Sequence, residues 1–231
     1  MPSSRATSCS SRPEVSLLDL IFPPRCGGCG AYGASWCGRC AERVRSLPPG
    51  TVAGIPLITV GPLEGPLQRA IHVYKYRPRP QLATALAGCL EAAVRNSGIR
   101  IAVLTFVPLH PARQRERGFN QAERLARRLG LMLELPVLAG LRRVRPTPAQ
   151  VGLGEAERRA NMIGAFCWSA TQRPPEGLAL VDDVCTTGAT LEAAAEAVGR
   201  AGGSIGAFLA LARAQTLPAL AVTLPGQSGC P

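Results

Sequence analysis

The chain is nearly devoid of lysine. Of its 26 basic residues only Lys75 is a lysine; histidine occurs twice, and aromatic residues make up 4% of the 231 positions. No Gly-Lys-Ser/Thr triplet occurs, which excludes a Walker loop. A literal Gly-x-Gly-x-x-Gly, from Gly28 to Gly33, lies inside a cysteine cluster and follows no strand, so it is not a dinucleotide fingerprint. No apolar run approaches the roughly 18 residues a spanning helix needs, and residues 1–16 lead into no secretory apolar segment. Membrane insertion is therefore not expected, and a cytoplasmic location is. The scarcity of aromatics argues against a protein that holds single-stranded nucleic acid by base stacking, although backbone contacts from arginine stay open. In a chain that otherwise uses arginine, the lone Lys75 stands out as a candidate functional residue.

What is abundant is positive charge. A formal +11 and a pI of about 9.9 imply an anionic partner, but total charge does not separate a nucleic acid from a diphosphate substrate. Location says more: between Arg113 and Arg159 there are eleven arginines against five glutamates, a surplus of six in one fifth of the chain. Nine cysteines make an odd set, and four of them form two Cys-x-x-Cys pairs, Cys26/Cys29 and Cys37/Cys40, seven residues apart. Glycines within the pairs permit tight turns, and four soft thiolates suit tetrahedral zinc. A redox dithiol needs one pair only, and a disulfide framework needs an oxidising compartment. A module this small has no core of its own, so metal binding supplies much of its folding energy, and four cysteines leave no open position for catalysis.

The chain is organised around Leu178 to Leu191. Leu178 to Val181 is an apolar run entered from Pro174, Pro175 and Gly177, read as a buried parallel strand, and Thr190 to Ala201 is read as a helix. Between them lie Asp182, Asp183, Cys185, Thr186, Thr187, Gly188, Ala189 and Thr190, where a strand's carboxyl end meets a helix amino end. Open α/β sheets bind ligands there, and free N–H groups with the helix dipole hold phosphate. Threonine hydroxyls add donors, while Gly188 permits close backbone approach. The two acids would repel that phosphate, so they are assigned to sugar hydroxyls or a metal's water shell. A sugar phosphate satisfies all of these features.

Elsewhere, Pro66 to Tyr76 reads as a helix or turn, and Gln81 to Asn96 as an amphipathic helix with Leu82, Leu86, Leu90 and Val94 on one face and Cys89 as a small core residue. Ile101 to Val107 reads as a strand followed by an irregular loop bearing His110, Arg113, Arg115 and Arg117, then by a helix expected to stop at Gly130. Those three arginines are assigned to a diphosphate, through forked hydrogen bonds, and Arg124, Arg127 and Arg128 to a solvated helix face. Residues 142–162, with Arg158, read as a lid, 165–168 as a strand and 204–211 as a last strand. The expected organisation is a disordered tail at 1–16, a cysteine module at 17–47, a linker at 48–56, an α/β domain at 57–213 and a frayed tail at 214–231.

The acid-threonine stretch resembles the phosphoribosyl diphosphate (PRPP) motif of type I phosphoribosyltransferases. The cysteine quartet, Tyr74-Lys75-Tyr76-Arg77, the run from Val107 to Gln121, Thr147 to Gln150, Arg158 to Asn161, Gly164 to Phe166 and the acid-threonine loop together resemble the ComF family, over roughly residues 17–213. Pro78 stands where that family's motif has glycine. The resemblance implies a parallel-sheet phosphoribosyltransferase fold behind a zinc module, binding of Mg-PRPP, and an association with DNA uptake in competent bacteria. It implies 5′-phosphate contacts from Cys185 to Thr190, ribose or magnesium contacts from Asp182 and Asp183, and Lys75 with Arg113, Arg115, Arg117 and Arg158 near the diphosphate. Either phosphoribosyl transfer to an unidentified acceptor follows, or a PRPP-sensing or DNA-handling role without turnover, with single-stranded DNA or the uptake machinery as partner.

Overall fold

Leu178 to Val181 are fully buried, and they open a strand that runs on to Cys185 because the long strand beside it supplies partners as far as the Cys185–Arg213 pair. The two acids thus sit within the strand, near its carboxyl end, not in the polar turn expected after Val181. The computed structural model describes residues 23–77, 79–145 and 160–214. The expected tail at 1–16, the apolar segment 17–22, most of the lid with Arg158, and residues 215–231 lie outside them.

In chain order the elements are α1 (Gly38–Glu42), β1 (Gly50–Val52), β2 (Ile55–Pro62), α2 (Gly65–Tyr76), α3 (Pro80–Ser97), β3 (Leu104–Phe106), α4 (Pro111–Arg117), α5 (Gln121–Leu133), β4 (Val137–Leu138), β5 (Leu141–Arg143), β6 (Phe166–Trp168), β7 (Leu178–Cys185), α6 (Ala189–Arg200) and β8 (Ile205–Arg213). A six-stranded sheet has the order β1-β2-β8-β7-β3-β4, all parallel except the antiparallel edge strand β1. Near-continuous apolar runs in β7 and β8 are what a parallel sheet covered by helices requires. Leu82, Leu86, Leu90 and Val94 of α3 are all buried, as their fourfold spacing demands, and α3 packs on α5 and β2. Cys89 is buried with them. Among the described residues no helix is long and apolar enough to cross a membrane.

Four expectations need correction. The stretch read as a linker, 48–56, contains β1 and the start of β2, joined by a turn with Ala53 and Gly54 at positive φ. Residues 111–117, read as irregular loop, form α4, started by Pro111 at its first position. Gly130 does not stop α5: a Cβ there would lie 2.6 Å from Val137 and 2.8 Å from the Leu135 carbonyl, so this glycine lets the helix approach β4, and the helix ends at Leu133 with Glu134 left-handed. Arg124 is not solvated; it stacks 4.0 Å above the Phe119 ring with one guanidinium nitrogen buried. Its neighbours behave as expected, Arg127 pairing with Glu123 at 2.8 Å on the exposed face. The strand at 166–168 forms, but in a separate antiparallel hairpin with β5 that packs on α6.

Candidate functional site

The chain leaves β3 for β4 on one side and β7 for β8 on the other, so the strand order reverses between β3 and β7. A crevice opens outside the carboxyl ends of two such strands, and ligands of open α/β sheets bind there. Here it is a cavity of about 220 Å³ walled by Val107 and Leu109 after β3, by Asp182, Asp183, Thr186 and Thr190 at the end of β7 and beyond it, and by Lys75, Arg113, Arg117 and Arg143.

Lys75 reaches this cavity from the last turn of α2, and its Nζ lies 2.9 Å from Asp183 Oδ2. Its position is braced: Gln121 Nε2 donates to the Lys75 carbonyl at 3.0 Å, and the buried Tyr74 hydroxyl donates to the Gln121 carbonyl at 2.8 Å. Asn120 caps α5 by accepting from Ala122 N–H at 3.0 Å and donates to the Val107 carbonyl at 3.1 Å, tying the helix to the end of β3. Asn120 and Gln121 both line the cavity, and sequence reasoning gave neither a role. An Asn immediately before an apolar-periodic segment is a helix-cap signal that could have found the first.

Asp182 accepts from the Asp183 backbone N–H at 2.8 Å. Desolvation, then the neighbouring Asp183 carboxylate, push the Asp182 carboxyl well above the usual carboxylate range, against the pull of that N–H and of Lys75. Because the folded value exceeds the unfolded one, the unfolded chain gives up this proton first, and Asp182 costs stability progressively as pH rises from about 4 through the folded value. Asp182→Asn should therefore melt higher than wild type at pH 8 and show no gain at pH 3. Thermal melts at the two pH values check this; an equal change at both would contradict it.

Past Cys185 the chain turns at Gly188, which caps α6 with φ 85. A Cβ on Gly188 would lie 2.5 Å from Val52 of β1, so the hairpin read as linker is the wall against which the loop after β7 closes. Thr187 Oγ1 accepts from Ala189 N–H at 3.5 Å, while Thr186 and Thr190 face the cavity. The buried Cys185 thiol is pushed up to about 12 by desolvation, then by Asp182 and Glu192, which favours the protonated form at neutral pH.

Helical geometry divides the arginines. Arg113 and Arg117, one turn apart on α4, are half-buried in the cavity wall, whereas Arg115 projects into solvent and is not brought to the site. Arg117 also lies 5.3 Å from the Tyr76 ring centroid. His110 Nδ1 accepts from Ala112 N–H at 3.3 Å, a structural cap of α4. Arg143 completes the wall from β5; burial, then Arg113, depress its guanidinium, and Asp182 works against them. Sequence reasoning left Arg143 inside the lid, because a three-residue strand carries no period long enough to read. Arg213, at the carboxyl end of β8, is likewise buried beside Cys185 and was not anticipated.

A second site lies in the cysteine module. The four thiol sulfurs are within 4.8 Å of one another, with Cys26 to Cys40 and Cys29 to Cys37 both at 3.7 Å. A tetrahedron with metal–sulfur bonds of about 2.3 Å has edges of about 3.8 Å, close to these two spacings, so the quartet could hold a metal ion. Burial pushes the Cys26 thiol up, but backbone N–H groups of Cys37, Cys29 and Gly28 outweigh it and hold the thiol at about 6, a thiolate at neutral pH.

No family model matches the chain. It is similar to competence protein F of Haemophilus influenzae, 34% identical over 180 residues that cover 73% of this chain and 75% of that protein. It is also similar to DNA utilization protein YhgH of Escherichia coli K12, 31% identical over 202 residues, with 84% of this chain and 85% of that one covered. The YhgH protein of Salmonella typhimurium is 33% identical over 202 residues, with 83% and 81% covered.

Proposed function

The chain belongs to the ComF family, and from that premise we propose that it binds Mg-PRPP in the cavity between β3 and β7, transfers the phosphoribosyl group to an acceptor, and serves the uptake or use of DNA. The observation that carries this reading is one cavity that joins an acid pair, threonines at a helix amino end, one lysine and three arginines. Few ligands need all of these; a sugar bearing a phosphate at one end and a diphosphate at the other does. The loop from Cys185 to Thr190 takes the 5′-phosphate through its N–H groups and the Thr186, Thr187 and Thr190 hydroxyls. Asp182 and Asp183 accept from ribose hydroxyls or from water on the substrate's magnesium.

Lys75, Arg113, Arg117 and Arg143 face the diphosphate, and Arg158 belongs with them if the lid closes over it. Their charge stabilises the leaving diphosphate as its bond to the sugar C1 lengthens and the acceptor's nucleophile approaches from the other face. In the free protein Lys75 neutralises Asp183; ligand entry gives the acid a hydroxyl or metal-water partner and turns the ammonium to the diphosphate. The cysteine quartet holds structural zinc and takes no part in the reaction.

The reading distinguishes residues two apart. Arg113→Gln should weaken Mg-PRPP binding at least tenfold, the scale of one charge-assisted hydrogen bond of about 1.5 kcal/mol, while Arg115→Gln should leave it within twofold. Equal effects would remove α4 from the site. Turnover is tested by diphosphate release from Mg-PRPP over a panel of bases and amines. Acceptor-dependent release is expected; saturable PRPP binding with no release from any acceptor would reduce the protein to a PRPP sensor.

A further inference from the structure

Arg213 is a buried charge that neither the packing nor the reaction described so far employs. It closes β8, is 5% exposed, and its Nη1 is buried with no hydrogen-bond partner among the described residues. Burial depresses the guanidinium, with Cys185 acting against it. Arg124 also has a buried orphan nitrogen, but its guanidinium stacks on Phe119. Withdrawing a guanidinium from water destabilises a fold unless something meets its donors, so a buried orphan at the ligand end of a parallel sheet points to a ligand group.

The register of the sheet places this charge. β7 and β8 are parallel, with Cys185 beside Arg213, and paired residues of adjacent strands face the same way. Side chains two apart on a strand share a face, so Arg213 lies on the face that carries Asp183, where Lys75 of α2 meets that acid at 2.9 Å. With strands about 4.8 Å apart and a rise of about 3.3 Å per residue, the two Cα atoms are about 8 Å apart, within the span of an arginine side chain. Leu63 N–H donates to the Arg213 carbonyl at 2.8 Å and Ala214 N–H to the Cys185 carbonyl at 2.9 Å, which fixes the residue between the end of β2 and the start of the threonine loop. The sheet order puts β8 on one side of β7 and β3 on the other, and Arg113 and Arg117 follow β3. Arg213 therefore stands across β7 from those two arginines.

That side is the one an acceptor needs. During transfer the C1–O bond to diphosphate breaks and its electron pair leaves with the diphosphate. The lone pair of an acceptor nitrogen forms the new bond to C1, and any proton on that nitrogen passes to water. With the diphosphate toward β3, a nucleophile entering opposite to it comes from the β8 side of the sugar. We propose, resting on the PRPP reading above, that Arg213 selects the acceptor, and that the acceptor offers it a carbonyl oxygen or a carboxylate. A guanidinium carries five donors and no acceptor, so an amino group at that edge leaves it unsatisfied. Sites built to hydrogen-bond a substrate group reject the analogue that lacks it, because the buried polar atoms are then left unpaired.

The test is diphosphate release from Mg-PRPP with two pairs of acceptors. Hypoxanthine against adenine exchanges a carbonyl for an amino group, and nicotinate against pyridine removes a carboxylate, so the pairs distinguish the two sources of oxygen. Wild type should use the oxygen-bearing member of at least one pair about a hundredfold better in kcat/KM. Arg213→Met should cut that kcat/KM at least about tenfold, and Arg213→Lys should restore part of it, while Mg-PRPP affinity stays within about threefold by calorimetry. Arg213→Met keeps the length of the buried side chain, and the selectivity of the wild type needs no variant at all. The proposal is overturned if PRPP binds but the members of each pair are used equally or release nothing. It is also overturned if Arg213→Met keeps the wild-type kcat/KM, or loses PRPP affinity as steeply as acceptor use. A wild-type chain that does not bind Mg-PRPP fails the PRPP reading itself, and the acceptor role falls with it.

Discussion

Replacing Cys26 or Cys40 by serine is expected to strip the protein of its metal and to lower its melting temperature by about 10 °C, several kcal/mol for a chain of this size. Both cysteines are buried, and with Trp36 they belong to the same core as the sheet and α3. The knuckle between the first pair is pressed into the domain: a Cβ on Gly27 would lie 3.0 Å from Leu82, and one on Gly28 would lie 2.9 Å from the Cys40 sulfur and from Trp36. Without a metal to hold four sulfurs at tetrahedral spacing, burial pushes the Cys40 thiol up and the three neighbouring sulfurs reinforce it, so the quartet cannot remain ionised together. A loosened knuckle uncovers Leu82, Ala70 and Pro66 on α2 and α3, and α2 carries Lys75. Metal loss should therefore weaken Mg-PRPP binding as well as stability. Elemental analysis, differential scanning calorimetry and PRPP titration on Cys26→Ser read the three effects together. About one zinc per wild-type chain is expected, and a metal-free protein of unchanged melting temperature would contradict the assignment.

The double variant Asp183→Asn/Thr187→Val should lower Mg-PRPP affinity about a hundredfold. Asp183 contributes a charge-assisted acceptor, worth about 1.5–3 kcal/mol, and the Thr187 hydroxyl a neutral donor worth about 1 kcal/mol. Releasing Lys75 from its 2.9 Å partner offsets part of the first loss, because the ammonium is then free for the diphosphate. Removing the hydroxyl in the same protein strikes the phosphate end, which Lys75 does not serve. Thr187→Val keeps the shape of a half-exposed side chain, so the fold should hold.

The central strand, the helix at 189–200 and the amphipathic α3 were legible because each carries a sustained period or an uninterrupted apolar run. The junction of a strand end with a helix start around Thr186 to Thr190 was legible too, although the two acids before it fall inside β7 and not in the turn. Illegible parts were those decided by neighbours distant in sequence. β1 and the start of β2 look like a Pro/Gly linker, yet Val52 is the residue that meets Gly188. α4 was hidden by Pro111 and a run of charges, although Pro suits the first helical position; missing it also merged Arg115 with Arg113 and Arg117, which only a helical period separates. Gly130 reads as a stop in isolation and as a packing contact once Val137 is known. Arg143 lines the cavity from a hairpin that pairs it with Phe166, a residue distant in sequence.

The measurement that bears most directly on the whole account is calorimetric titration of PRPP with magnesium into the wild-type chain and into Asp183→Asn/Thr187→Val. One saturable site per chain in the wild type, lost or weakened about a hundredfold in the double variant, is the expected result. Absence of binding to the wild type, or equal affinity in the two proteins, would mean that the cavity between β3 and β7 is not a PRPP site.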